Sequence, residues 1–171
     1  SVIIDENFNQ NLVNDSKKLT FKSRMDLDGY IKDHVVAYSI AEVSPEVIDV
    51  HNILNASIMA MHYALDHLTV RPELILVDGN KFHPYQSIPH ECIVKGDAKL
   101  LSIACASILA KNYRDRLMIA LHKEFPEYGW STNMGYATKQ HQEALNRFGP
   151  TIYHRKSFRL DYSSCEKQSC T

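Results

Sequence analysis

The sequence lacks any stretch approaching the roughly 18 consecutive apolar residues that a membrane span requires, and it has no basic leader followed by an apolar core. Neither a transmembrane helix nor a secretory signal is expected. It also lacks a C-x-x-C pair. Cys92, Cys105, Cys165 and Cys170 stand apart, which excludes a zinc ribbon or a redox dithiol and leaves no disulfide framework. A reducing compartment, the cytoplasm, is the expected location. Nine histidines form no H-E-x-x-H pair, and there is no G-x-S-x-G elbow, P-loop or G-x-G-x-x-G turn. Charge of one sign is missing too: 19 Lys and Arg stand against 20 Asp and Glu, for a net charge of −1. Any contact with a polyanion therefore has to come from a local patch. With six glycines, six prolines, no repeats and no low-complexity blocks, fibrous and disordered classes are excluded as well.

What is present is ordinary globular composition, 44% hydrophobic and 23% charged over 171 residues. That suffices for one domain with a real core. Val2 to Ile4 reads as the tail of a buried strand, and Asp5 to Ser16 as a polar loop. A helix is predicted from Thr20 as N-cap to about Asp33. Val35 to Glu42 predicts a strand. Ser44-Pro45-Glu46 opens a helix whose apolar residues (Val47, Val50, Leu54, Ile58, Met61, Leu65) keep helical spacing to about His67. Leu74 to Val77 and Cys92 to Val94 are short apolar runs stopped by Asp78-Gly79 and Lys95-Gly96-Asp97, and they read as buried strands. A long helix is predicted from Asp97 to about Glu124, and a last one from Thr138 to Gly149. Strands alternating with helices predict an α/β layer architecture. Residues 1–160 are assigned to the domain, and 161–171 to a polar tail.

Two acids follow two predicted strands, at the strand ends where open α/β sheets place their ligands. Asp78 is either an Asp-Gly turn residue or a ligand; Asp97 is either a helix cap or a ligand. Together they can hold one hard cation. Lys95, Lys99, Lys111, Arg114 and Arg116 near the second acid form either a solvated helix face or contacts to backbone phosphates. Gly135-Tyr136-Ala137-Thr138 is either a glycine turn with a core tyrosine or an aromatic placed for stacking beside a helix N-terminus. Tyr153 to Arg159, with His154 and Arg155, interleaves cations with aromatics, which suits nucleic acid and equally suits an ordinary basic surface.

In order and spacing, several segments resemble ribonuclease HII. They are Asn14-Asp15-Ser16-Lys17-Lys18-Leu19, Asn52-Ile53-Leu54-Asn55-Ala56, Val77-Asp78-Gly79-Asn80, Lys95-Gly96-Asp97, Ala106-Ser107-Ile108-Leu109-Ala110-Lys111, Gly135-Tyr136-Ala137-Thr138 and His154-Arg155-Lys156-Ser157-Phe158. The resemblance covers about residues 1 to 160. It implies a ribonuclease H-like mixed sheet flanked by helices, and an endonuclease that cuts the RNA strand of RNA–DNA hybrids and single ribonucleotides embedded in DNA. It further implies Mg²⁺ or Mn²⁺ held by four carboxylates, two of which match Asp78 and Asp97. Tyr136 matches the tyrosine that reads the ribonucleotide–deoxyribonucleotide junction. Lys17, Lys111, His154 and Arg155 are expected against the substrate, and the protein is expected to act as a monomer without a membrane.

Two departures stand out. Met134 occupies a position where the family usually has Lys. The D-E-A-G-R-G motif that carries the other two carboxylates is not found. Asp5-Glu6 is rejected as its replacement, because Asn7-Phe8-Asn9 follows and no Gly or Arg is present. The sequence is therefore expected to lack the first strand and most of the second of that fold, and to be inactive alone. The alternatives are a non-catalytic relative that binds hybrids, and an unrelated α/β metal phosphohydrolase.

Overall fold

The apolar run before Asp78 forms a strand, β3 (Ile75–Asp78), and the run before Lys95 forms β4 (His90–Ile93). β3 fits the expectation of a buried strand, with Ile75 and Val77 buried. β4 does not: its residues are exposed or half-buried, and Val94 lies outside it and is exposed, because only Ile93 in the strand is a large apolar residue. The two strands pair in parallel, with Ile75 opposite His90 and Asp78 opposite Ile93, so their carboxyl ends lie at one edge. In a computed structural model of the chain, residues 1–8 and 21–157 are described; the predicted loop from residue 9, the cap Thr20 and the tail lie outside them. The remaining elements are β1 (Val2–Ile3), α1 (Phe21–His34), β2 (Ala37–Tyr38), α2 (Pro45–Asp66), α3 (Leu101–Glu124), α4 (Trp130–Asn133) and α5 (Lys139–Phe148). Among the described residues the strands form two two-stranded sheets, β1–β2 antiparallel and β3–β4 parallel. No described helix is long and apolar enough to cross a membrane.

The chain divides into two units. The first comprises Ser1–Glu42 and Ser57–Tyr113, the second Val43–Ala56 and Arg114–Thr171. In the first unit, α1 sets Leu27 and Ile31 against Ala104, Cys105, Ile108 and Leu109 of α3, and Phe8 joins them. The buried Asn112 side-chain N–H donates to the Arg24 carbonyl at 2.7 Å, so that donor is paired within the core. Ile75, Val77, Tyr85 and Ile88 make a second cluster under β3. In the second unit, Leu121, Tyr128, Trp130, Ala144 and Leu145 form the core. Thr138 caps α5 by accepting the His141 N–H, and the Gly149 N–H returns to Leu145 at the other end, as Thr and Gly at these positions predict.

Three further expectations need correction. The strand predicted over Val35–Glu42 is reduced to Ala37–Tyr38, with flanking hydrogen bonds from Val36 to Ile3 and from Ser39 to Ser1, because its partner β1 is only Val2–Ile3. Asp97 does not begin the long helix. It lies in a 3₁₀ turn, Gly96–Ala98, and α3 starts at Leu101. The single apolar stripe predicted along α2 is broken: Val50, Leu54 and Met61 are exposed while Ala56, Ile58 and Ala64 are buried.

The cause of that break is Asn52, at φ 65° and ψ 165° inside α2, a region nearly restricted to glycine. Its Oδ1 accepts the N–H groups of Leu54 (3.0 Å) and Asn55 (3.1 Å), so it serves as the N-cap of a restarted helix. Asn52→Ala removes that cap and keeps the strain; it is expected to cost about 1–2 kcal/mol. Asn52→Gly loses the cap but relieves the backbone and is expected to be near neutral. Urea unfolding of both variants checks this, and equal losses would contradict it.

Candidate active site

The site is built from the β3–β4 edge. The chain leaves β4 through Lys95, which adopts a left-handed conformation (φ 58°, ψ 42°), and turns back into the 3₁₀ turn that carries Asp97. The Gly96 N–H then donates to Asp78 Oδ1 at 2.8 Å. Gly96 is buried, and a Cβ on it would lie 2.6 Å from Ile103 Cδ1 and 3.6 Å from the Asp78 Cα. The absence of a side chain is what lets this turn close on Asp78. Asp78 is exposed and Asp97 half-buried. Both acids named from the sequence therefore follow adjacent parallel strands at the same end of the pair.

Two carboxylates are hard oxygen donors of the kind that Mg²⁺ or Mn²⁺ accepts, and one Asp78 oxygen is already oriented by a backbone N–H. The donor chemistry fits such an ion. Among the described residues there is no group of three or more His, Cys, Asp or Glu side chains placed to hold a metal. Asp5 and Glu6 are exposed, and Asp5 Oδ1 accepts the Asn7 N–H at 3.0 Å, as a local turn residue does.

The other candidate residues are distributed as follows. Lys17 lies outside the described residues. Lys111 is exposed on α3 in the first unit. Tyr136, in the second unit, is 65% exposed, which excludes the core-tyrosine reading. His154 and Arg155 are half-buried. The turn after them is fixed by Asp49, whose carboxylate accepts the N–H groups of Lys156 (2.9 Å) and Ser157 (2.8 Å) and the Ser157 hydroxyl (2.6 Å). Those three bonds hold the Asp49 carboxyl below its usual range, the Ser157 hydroxyl contributing most. Asp49 was not anticipated from the sequence. It lies 107 positions from Lys156, and no local pattern marks the pair.

His154 belongs to a buried network in the second unit. The Trp130 indole N–H donates to His141 Nδ1 at 3.2 Å, His141 Nε2 lies 3.3 Å from His154 Nε2, and His154 Nδ1 lies 3.0 Å from the Thr151 hydroxyl. Burial, reinforced by the neighbouring His141, pushes the His154 imidazole down to about 4. Burial also lowers His141. The folded protein thus keeps His154 neutral down to about pH 4, whereas an unfolded chain takes up that proton near pH 6.5. Between these values the unfolded state binds more protons. The network's contribution is therefore complete above about pH 6.5 and is lost as the pH falls from there to about 4.

Comparison with known proteins places this architecture. The family model for ribonuclease HII matches residues 2–165. Ribonuclease HII of Christiangramia forsetii is 54% identical over 160 residues, covering 94% of this chain and 81% of that protein. Ribonuclease HII of Bacteroides thetaiotaomicron is 51% identical over 160 residues, covering 94% and 80%. The crystal structure of ribonuclease H2 from Pyrococcus horikoshii OT3 superposes with a TM-score of 0.76 at 25% identity, covering 92% of this chain and 83% of that one. The PCNA:RNase HII complex from Archaeoglobus fulgidus shares the fold, with a TM-score of 0.61 at 24% identity and coverage of 90% and 78%. Fold and sequence together define a nuclease of the ribonuclease H class, with a mixed α/β architecture as the sequence predicts. The chain belongs to the ribonuclease HII family, whose members are ribonuclease H endonucleases.

Two outcomes are expected. Gly96→Ala should lower the unfolding free energy by about 1–3 kcal/mol, the scale of an overpacked core, since the added methyl meets Ile103; unchanged urea stability would contradict the close approach. The urea midpoint should also fall on acidification from pH 6.5 to 4, and His154→Asn should flatten that dependence. Parallel pH profiles for the two proteins would contradict it.

Proposed function

We propose that this chain hydrolyses the RNA strand of RNA–DNA hybrids, and single ribonucleotides in duplex DNA, with Mg²⁺ or Mn²⁺ held by Asp78 and Asp97 together with oxygens beyond these two. The observation that carries this reading is that both acids follow the carboxyl ends of the parallel β3–β4 pair, with the Gly96 N–H, next to Asp97, on Asp78. When bound, two divalent cations supply an activated water and charge stabilisation at the leaving oxygen. Asp78 and Asp97 provide hard ligands in fixed positions. The exposed Lys111 offers a cation to backbone phosphate. Tyr136 presents an exposed ring for stacking on a sugar or base, where the 2′-hydroxyl separates RNA from DNA. His154 and Arg155 support the substrate side through the turn that Asp49 fixes.

The expected result is that Asp78→Asn and Asp97→Asn each lower cleavage by at least about 100-fold, the scale of losing a catalytic electrostatic group, while hybrid binding survives. Calorimetric titration with Mn²⁺ should show weakened metal binding for the same variants. Near-normal turnover of Asp78→Asn would overturn the ligand assignment. Tyr136→Ala should lose more on single-ribonucleotide junctions than on uniform hybrids; an equal loss would count against junction reading.

A second reading is favoured by one observation, the absence of a third metal-ligating side chain beside the pair among the described residues. In that reading the protein binds hybrids without cutting them. Hybrid binding with no cleavage at any Mg²⁺ or Mn²⁺ concentration would support it, and metal-dependent cleavage that EDTA abolishes would exclude it.

A further inference from the structure

The loop that carries Tyr136 is fixed with unusual completeness for an exposed segment. α4 ends at Asn133, whose buried amide donates to the Tyr128 carbonyl (2.7 Å) and accepts the Gly135 N–H (2.8 Å). The Asn133 carbonyl accepts the Tyr136 N–H at 2.8 Å, and the Tyr136 carbonyl accepts the Thr138 N–H at 2.8 Å. Met134 and Gly135 both adopt positive φ, 48° and 76°, so the chain reverses within two residues. A Cβ on Gly135 would lie 3.1 Å from Met118 Cε. The backbone on either side of Tyr136 is thus determined by the unit that carries it.

The ring is not fixed by burial, since the residue is 65% exposed. It is held instead by Arg114. The guanidinium carbon lies 5.0 Å from the ring centroid, and Nη2 donates to the Met134 carbonyl at 2.7 Å. These two contacts act in concert. The hydrogen bond ties the planar guanidinium to the backbone of the same loop, and the cation held over the ring then restricts the ring's rotamers. An exposed tyrosine otherwise samples several rotamers, and ordering it on binding weakens recognition. A cation on one face also leaves the opposite face to a sugar or base.

We propose that Arg114 is the positioning residue for junction recognition, acting through Tyr136 rather than as one more phosphate contact. This rests on the proposed role of Tyr136. A phosphate contact would depend on charge alone and would serve every substrate alike. A positioning residue depends on the planar fork, which lysine does not reproduce.

The test uses the full-length protein and two duplexes, one with a single ribonucleotide and one a uniform hybrid. Arg114 is exposed and Arg114→Lys retains the charge, so folding is expected to survive; circular dichroism confirms it. Arg114→Lys and Arg114→Ala should each lower kcat/KM on the junction substrate by about tenfold, the scale of one cation–π contact plus one hydrogen bond. The loss on the uniform hybrid should be smaller. In a Tyr136→Ala background, Arg114→Ala should cause little further loss of selectivity. Fluorine NMR of 3-fluorotyrosine-labelled protein, with the signal assigned by Tyr136→Phe, should show the Tyr136 resonance shift in Arg114→Lys without substrate.

Three results would overturn the proposal: full retention of junction selectivity in Arg114→Lys, equal loss on both duplexes, or multiplicative losses in the double variant. If Tyr136→Ala is selective and Arg114→Ala is not, only the positioning role fails. If Tyr136→Ala itself is unselective, the junction reading fails and the positioning role falls with it.

Discussion

The hydrogen bond from the Gly96 N–H to Asp78 is the constraint on which the candidate active site depends. It requires three conditions that separate parts of the sequence meet. The parallel register of β3 and β4 must bring their carboxyl ends level, Lys95 must accept a left-handed conformation, and residue 96 must have no Cβ. The third is the strictest, because the space a side chain would need belongs to Ile103 at the start of α3. Helix packing and carboxylate orientation are thereby joined at one residue. A shift of α3 towards Gly96 would disturb Asp78 without touching either acid. This coupling explains why a short sheet suffices to hold a pair of exposed or half-buried acids in place.

The second unit solves a different problem. It must present an aromatic ring to solvent and still give it a defined position. Its core of Tyr128, Trp130 and Leu145, with the neutral His141–His154 network, supplies rigidity beneath the loop. Buried polar groups there are linked to one another, which stiffens a core provided that each group is satisfied. The buried Asn133 amide belongs to the same design, donating to Tyr128 on the core side and accepting from Gly135 on the loop side. The Asp49 carboxylate does comparable work for the Lys156–Ser157 turn.

Local signals were legible in the sequence wherever short-range physics decides the outcome. The α5 cap at Thr138, the start of α2 at Pro45 and both strands preceding Asp78 and Lys95 appear where the sequence predicts them, within a residue or two. The placement of Asp78 and Asp97 after the two strands was legible for the same reason, since an acid just beyond an apolar run is a local pattern. What was not legible depends on distant partners. The length of β2 is set by β1, more than thirty positions earlier, as the bond from Ser39 to Ser1 shows. The break at Asn52 is invisible to periodicity because an asparagine cap and a helical polar residue look alike in sequence. Arg114 reads as one more solvated cation on α3 until the Met134 carbonyl, 20 positions away, is seen to receive it.

On the proposed function, Asp78 and Asp97 would present negative charge to a substrate that is itself a polyanion, and a net charge of −1 provides no general attraction to offset that. Like charges repel at close range, so on that reading the two carboxylates would disfavour a phosphodiester unless positive charge arrived with it. The exposed cations near β4 and on α3, Lys95, Lys99 and Lys111, could supply some of that charge from the protein itself. Hard carboxylates are also poor partners for lysine compared with a divalent ion, because an ammonium on a flexible stem remains strongly hydrated. On the proposed function, affinity for metal and affinity for nucleic acid would be linked at this acid pair: each would favour the other, and neither would be well served by the bare carboxylates. In such a site the arrangement that binds the cation would also be the one that admits the strand to be cut.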